Sequence, residues 1–186
     1  IAFSEGESRL LGKYRKSFED LNIKISITDN ETVNILTDKF LMLSHLAKSG
    51  IDVGEYFTVD KISNFDKIAK KLGYPNKKVV FKPRYGRGSR GVLIADETQN
   101  FFTPLLPERF CGLGSIQVLQ KTCEKKNIGI SDYIAMPYYG GNVWDVDVLS
   151  KKGEVINVAA RMRQLKNPLW PTSTGHKASA DPRIIN

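Results

Sequence analysis

Apolar positions in the stretch 8–20, SRLLGKYRKSFED, fall near helical spacing, with Leu10, Leu11, Tyr14 and Phe18 toward one face. The next segment, IKISIT at 23–28, alternates and is β-branched, which predicts a short strand followed by a turn at Asp29-Asn30. A clear helix is predicted over 38–49. Phe40, Leu43, Leu46 and Ala47 share its apolar face, Thr37 is the candidate N-cap, Asp38 suits the first turn, and Gly50 ends it. EYFTV (55–59) reads as a strand. A further helix is expected over 60–72, with Ile62, Phe65, Ile68, Ala69 and Leu72 turned inward and Gly73 at its end.

The second half is richer in strands. VVFKP (79–83) and GVLIA (91–95) read as hairpin partners, and 98–113 as irregular, with Pro104 and Pro107. A helix is expected over 115–126 and a strand over 132–139, DYIAMPYY, ending in Gly140-Gly141. VWDVDVLS (143–150) and EVINVAARMR (154–163) form a hairpin through Lys151-Lys152-Gly153, and one more strand is expected near 175–179. This order predicts an α+β fold with antiparallel sheets rather than a repeating βαβ unit. No internal repeat or low-complexity tract is visible.

Composition narrows the partners. Among 186 residues, 41% are hydrophobic, enough for a core and without a disorder signature. No apolar run approaches the roughly 20 residues of a bilayer span, so no membrane partner is expected. No secretory signal is read at the N-terminus, and an opening Ile rather than Met fits a fragment of a longer chain. The net charge of +8 favours polyanions: nucleic acid, an anionic membrane or phosphorylated small molecules. Most lysines are scattered and read as solvated surface. Two cysteines, Cys111 and Cys123, with only His45 and His176 beside them, make neither a zinc site nor a disulfide framework, which fits a reducing compartment and a cytoplasmic location.

The segment KPRYGRGSRG (82–91) holds four cations, Lys82, Arg84, Arg87 and Arg90, and three glycines between two apolar strands. Glycine lets backbone N–H groups approach an anion, and cations add charge-assisted hydrogen bonds. The lysine precedes the glycines, unlike a P-loop, and a strand rather than a helix follows, unlike a Rossmann turn. Taken alone, the loop is as consistent with a solvated hairpin as with a phosphate lid.

In its wider context the sequence resembles the ATP-grasp superfamily, most of all the carbamoyl-phosphate-synthase large-subunit-like branch. The resemblance rests on TDKFLMLSHLAKSGIDV (37–53), VVFKPRYGRGSRGVLIA (79–95) and YIAMPYYGGNVWDVDVLSKKGEVINVAARMR (133–163), in family order and spacing. It implies an α+β ATP-grasp fold of two small subdomains with antiparallel sheets, the C-terminal part missing. Residues 1–36 would end a preceding domain and 37–72 form a helical linker. Residues 73–139 would form the small subdomain with its lid, and 140–186 the incomplete start of the second.

The resemblance also implies roles. Lys39 and Lys82 would contact nucleotide phosphates, and Gly86, Arg87, Gly88, Ser89 and Gly91 would form the lid. The strand 135–138 (Ala135, Met136, Pro137, Tyr138) would meet adenine through its backbone. Arg161 and Arg163 would serve catalysis at the acyl-phosphate or triphosphate, and Ser173, Thr174 and Gly175 would lie near the γ-phosphate. The implied partners are ATP, Mg2+ and a small carboxylate substrate attacked by an amine, with a homodimer left open. Asp145 and Asp147, two apart on a strand, suit metal or ribose contacts as well as plain alternation. Tyr138, Tyr139 and Trp144 read as packing residues rather than base platforms.

The match also departs from the family. Pro137 and Val143 stand where acidic ribose ligands are usual, and the linker proline is absent from Gly50-Ile51-Asp52-Val53. The family's magnesium ligands fall in a strand beyond Asn186, so no metal residue is assigned and the chain is expected to be inactive alone. The rival reading is a non-catalytic basic module, binding nucleotide or, less favoured, nucleic acid, on a decayed ligase fold.

Overall fold

The computed structural model describes residue 2 and residues 4–106, 108–164 and 175–179. The chain divides into two compact units, 1–104 with 108–138, and 105–107 with 139–186.

The first unit opens on helices. α1 (Glu5–Lys13) carries a capping box, in which Ser4 and Glu7 satisfy each other's backbone amides. α2 (Arg15–Asp20) follows after a break at Tyr14. The expected strand at 23–28 does not form. Its alternating isoleucines find no ladder partner among the described residues, and Ile23 stays about half exposed. Asp29 starts a helix there rather than a turn. It caps α3 (Asn30–Thr37) by accepting from the Thr32 amide at 2.8 Å. α4 (Lys39–Lys48) is capped by Asp38 and not by Thr37, whose hydroxyl donates back to Val33 O within α3.

The six-stranded sheet is built from β1 (Phe57–Val59), β2 (Val79–Pro83), β3 (Leu93–Ala95), β4 (Thr103–Pro104), β5 (Gly112–Gly114) and β6 (Tyr133–Pro137), in the order β1-β6-β2-β3-β5-β4. All its pairs are antiparallel except β3 with β5. The stretch expected to be irregular at 98–113 thus supplies two short strands. They escape pattern reading because GLG has no apolar alternation. The helix expected over 60–72 begins as a 3-10 turn, Ile62–Asn64, and becomes α5 at Phe65–Lys71. α6 (Ile116–Lys125) is capped by Ser115.

The core of this unit joins α5 and α6 to one face of the sheet. Val79 and Phe81 of β2 are fully buried, and Phe81 stacks on Phe65 at 4.2 Å between ring centroids. Leu93, Ile116, Leu119 and Cys123 complete it. Strand alternation therefore sends Val80 and Lys82 to the opposite face. Cys111 and Cys123 are both buried, and no disulfide joins them.

The second unit carries an antiparallel three-stranded sheet, β7 (Trp144–Lys151), β8 (Glu154–Arg163) and β9 (His176–Ser179), in that order. The β7–β8 turn has positive φ at Lys152 and Gly153, the type I′ geometry that suits right-twisted strands.

Candidate functional site

The site is assembled at the end of β2. Beyond Pro83 the chain leaves the sheet, and Arg84 N–H donates to Asp132 O at 2.8 Å. The carbonyl of Arg84 accepts from the Lys39 amide at 3.0 Å, which ties the first turn of α4 to the loop. Asp38, 1% exposed, fastens the joint. Its carboxylate caps α4 through the Phe40 and Leu41 amides at 2.9 and 3.3 Å and accepts two guanidinium bonds from Arg84. Burial alone would raise the Asp38 pKa, but the bonds from Arg84, Tyr85 and the two amides outweigh it and hold the group below its ordinary 3.8. The Arg84 guanidinium lies over the Phe40 ring, 5.1 Å from its centroid.

This joint brings Lys39 and Lys82 together. The Lys39 ammonium donates to Gly86 O at 2.8 Å and to Arg84 O at 3.2 Å, so it spans the base of the loop. Burial lowers its pKa, against the opposing pull of Glu5 and Asp38. Lys82 is half-buried, and burial followed by the charge of Lys39 lowers its pKa as well. Its ammonium has no hydrogen-bond or ion-pair partner among the described residues. Two neighbouring ammonium groups, one of them unpaired, create a demand for negative charge.

The glycines shape the loop. Gly91 has φ +77°, and a Cβ there would stand 2.6 Å from Tyr133 Oη and 2.7 Å from Pro83 Cγ. Gly88 has φ +65°, and a Cβ there would stand 2.8 Å from the Arg109 guanidinium, which donates to Gly88 O at 2.5 Å. Ser89 adopts φ +60° without being glycine. Lys39, Lys82, Pro83, the loop residues 85–90 and Val92 enclose a cavity of about 130 Å³. Among the described residues no Asp or Glu is part of its lining.

Lys39, Lys82, Gly86, Arg87, Gly88 and Ser89 thus share one cavity, with Gly91 at its margin. The segment 135–138 lies next door on β6, in register with β2. Ala135 is buried, with Phe57 and Phe81 as its register partners on either side, and the Tyr138 amide already donates to Lys78 O at 2.9 Å. Met136 and Pro137 face Val80 and Val79 across β2 and lie beyond the end of β1. Arg161 and Arg163 belong to the second unit. Arg163 holds Asp145 with two bonds, of 2.8 and 2.7 Å, and Arg161 holds Asp147 at 2.5 Å. His176 Nε2 lies 3.3 Å from the same Asp145. Gly175 accepts from the Gln164 amide, whereas Ser173 and Thr174 lie outside the described residues.

No sequence pattern marks Glu5 or Arg109 as loop contacts, which they reach across 81 and 21 residues. Asp38 and Arg84 were visible as residue types, but not as the clamp they form.

Among the described residues no group of three or more His, Cys, Asp or Glu side chains could hold a metal ion. Asp145 and Asp147, two apart on β7, are engaged by arginines. No helix among the described residues is long and apolar enough to cross a membrane.

No protein-family model and no curated protein matches the sequence. Solved structures do. The L-amino acid ligase from Bacillus licheniformis superposes with a TM-score of 0.61 at 16% identity, covering 97% of this chain and 36% of that one. The biotin carboxylase domain of the 2-oxoglutarate carboxylase from Hydrogenobacter thermophilus, solved with MgADP, ADP and bicarbonate, gives 0.59 at 17% identity, covering 88% and 33%. The D-alanine–D-alanine ligase from Bacillus anthracis complexed with ATP gives 0.51 at 20% identity, covering 81% and 43%. The chain spans between a third and a half of the length of these neighbours. Across that span, the chain has the ATP-grasp fold.

Proposed function

We propose that this chain is the nucleotide-binding part of an ATP-grasp ligase, one that activates a carboxylate as an acylphosphate for attack by an amine. The observation that carries this reading is the convergence of Lys39, Lys82 and the glycine-rich loop on one cavity. The crystallised neighbours with ATP and MgADP support the choice of nucleotide.

In this reading Lys82 and Lys39 hold the phosphates and stabilise the charge that accumulates on the leaving diphosphate. Lys39 is fixed in advance by the Arg84 carbonyl, which the Asp38–Arg84 pair holds in place, so little reorganisation is needed there during reaction. The loop covers the phosphates and excludes water, and Arg109 steadies it through Gly88 O. Met136 and Pro137 offer the adenine a strand edge beyond the end of β1. A carbamoyl-phosphate-synthase-like reaction is the finer form of the proposal. It draws on the order of the motifs and on the charged β7–β8 face with Arg161 and Arg163. No step is assigned to magnesium.

The test is thermal unfolding with and without ATP and magnesium, for the parent chain and for Lys82→Ala. A ligand at a hundred times its dissociation constant adds about 2.7 kcal/mol. The expected result is a shift in the parent that vanishes in the variant. A shift of equal size in both would place the nucleotide elsewhere and sink the reading.

A further inference from the structure

An acidic side chain from α1 reaches a backbone amide of the loop. Glu5, the first residue of α1, sets its carboxylate against the amide of Gly86, with its two oxygens 3.2 and 3.4 Å from that nitrogen. One turn further along α1, the Arg9 guanidinium lies over the ring of Tyr85, 5.4 Å from its centroid. Two residues on one face of α1 therefore grip two consecutive residues of the loop. The helix is itself seated on α3. Gly12 is buried there, and a Cβ on it would stand 3.2 Å from Val33 Cγ2.

The chemistry of this contact matches that expected of a ligand. A glycine amide in a turn of positive φ, beside the Lys39 ammonium that caps Gly86 O, is an anion donor set. The protein fills it with its own carboxylate. Glu5 also acts on Lys39 through its charge. A polyphosphate arriving at Lys39 and the Gly86 amide would meet a like charge at close range, which costs free energy unless the carboxylate withdraws.

We infer that Glu5 is a built-in competitor for the anion of this loop, a resident carboxylate that occupies the Gly86 amide and lowers the affinity of the site for polyphosphate. The inference rests on the reading that the loop binds phosphate. It adds a device to that reading: α1, which lines none of the cavity, sets how strongly the site holds its anion. Binding of the ligand and release of α1 from the loop are then coupled, and each weakens the other by the same factor.

The test uses isothermal titration of the full chain with inorganic tripolyphosphate and, separately, with ATP. Three proteins are compared: the parent, Glu5→Gln and Glu5→Ala. Glutamine keeps an acceptor for Gly86 and removes the charge, whereas alanine removes both. Competition predicts that both variants bind each probe at least about fivefold more tightly than the parent. Glu5→Gln equal to the parent with Glu5→Ala weaker would make Glu5 a latch that shapes the loop, and would overturn the inference. Lys82-dependent binding that neither Glu5 variant changes would also overturn it, while leaving the phosphate reading intact. Absence of binding by all three proteins would remove the phosphate reading and this inference with it. The amide resonance of Gly86 in the ligand-free protein gives an independent readout. It should move on Glu5→Ala, and an unmoved resonance would show that the contact itself is not populated.

Discussion

The glycine-loop cavity of the first unit and the β7–β8 face of the second treat their cations in opposite ways. In the first, the Lys39 ammonium rests on neutral carbonyls, Lys82 has no partner among the described residues, and Arg109 donates to Gly88 O. In the second, Arg161 and Arg163 each face an aspartate on the neighbouring strand. Carbonyls orient a cation and leave its charge in place, whereas carboxylates cancel it. The comparison teaches that an anion site is recognised by what its cations lack, more than by how many there are. Arg84 shows both rules in one side chain. Asp38 neutralises it, and it then serves as the fixed point from which its own carbonyl positions Lys39.

The strongest way to break this contrast is to destroy the loop while keeping its charges. Gly91→Ala combines about 1–2 kcal/mol of left-handed strain with contacts against Tyr133 Oη and Pro83 Cγ. A loss of about 3 kcal/mol in urea unfolding is expected, and a loss under 1 kcal/mol would show that the loop adapts. Asp38→Asn should cost about 2–3 kcal/mol, because it leaves the Arg84 guanidinium without its buried counter-charge. The sign of the pH dependence follows. The folded-state pKa of Asp38 lies below its ordinary 3.8, so its contribution is present above that value and fades as pH falls through the lowered one. Unfolding midpoints measured between pH 6 and pH 2.5 should therefore drop more steeply for the parent than for Asp38→Asn.

Lys82→Ala tests the unpaired cation directly. It should weaken ATP binding by about 30-fold, or ~2 kcal/mol, with less effect on stability, since a half-buried unpaired charge is removed. An affinity within twofold of the parent would end the contrast between the units. The smallest effect belongs to the second unit. Asp145→Ala removes a partly exposed pair and should cost about 0.5–1 kcal/mol. It should also free Arg163 from its carboxylate. Urea unfolding measures the stability loss, and one above about 2 kcal/mol would show a pair stronger than its exposure allows.

Much of this was legible in the chain itself. The strands VVFKP and YIAMP and the hairpin 143–163 follow from alternation and turn chemistry, which are local. The Asp-Lys at the head of α4 and the glycine loop could be read as motifs. The strand expected at 23–28 was not, because alternation records suitability for a sheet and not the presence of a partner. β5 was hidden for the converse reason. Gly112 and Gly114 show no pattern, yet the close approach of Phe102 and Val118 demands small residues there. Glu5 and Arg109 were invisible because their reach depends on tertiary placement alone.

The buried thiols bear on kinetics. Cys111 lies two residues from Arg109, the side chain that holds the loop, and directly before β5. Cys123 sits on α6, where burial raises its pKa to about 11. Neither can meet a thiol reagent until its surroundings open, so each reports a different opening event. A nucleotide fastened under the loop should slow the labelling of Cys111 more than that of Cys123. The chain thus carries two native clocks, one timing the loop and the other the core behind it.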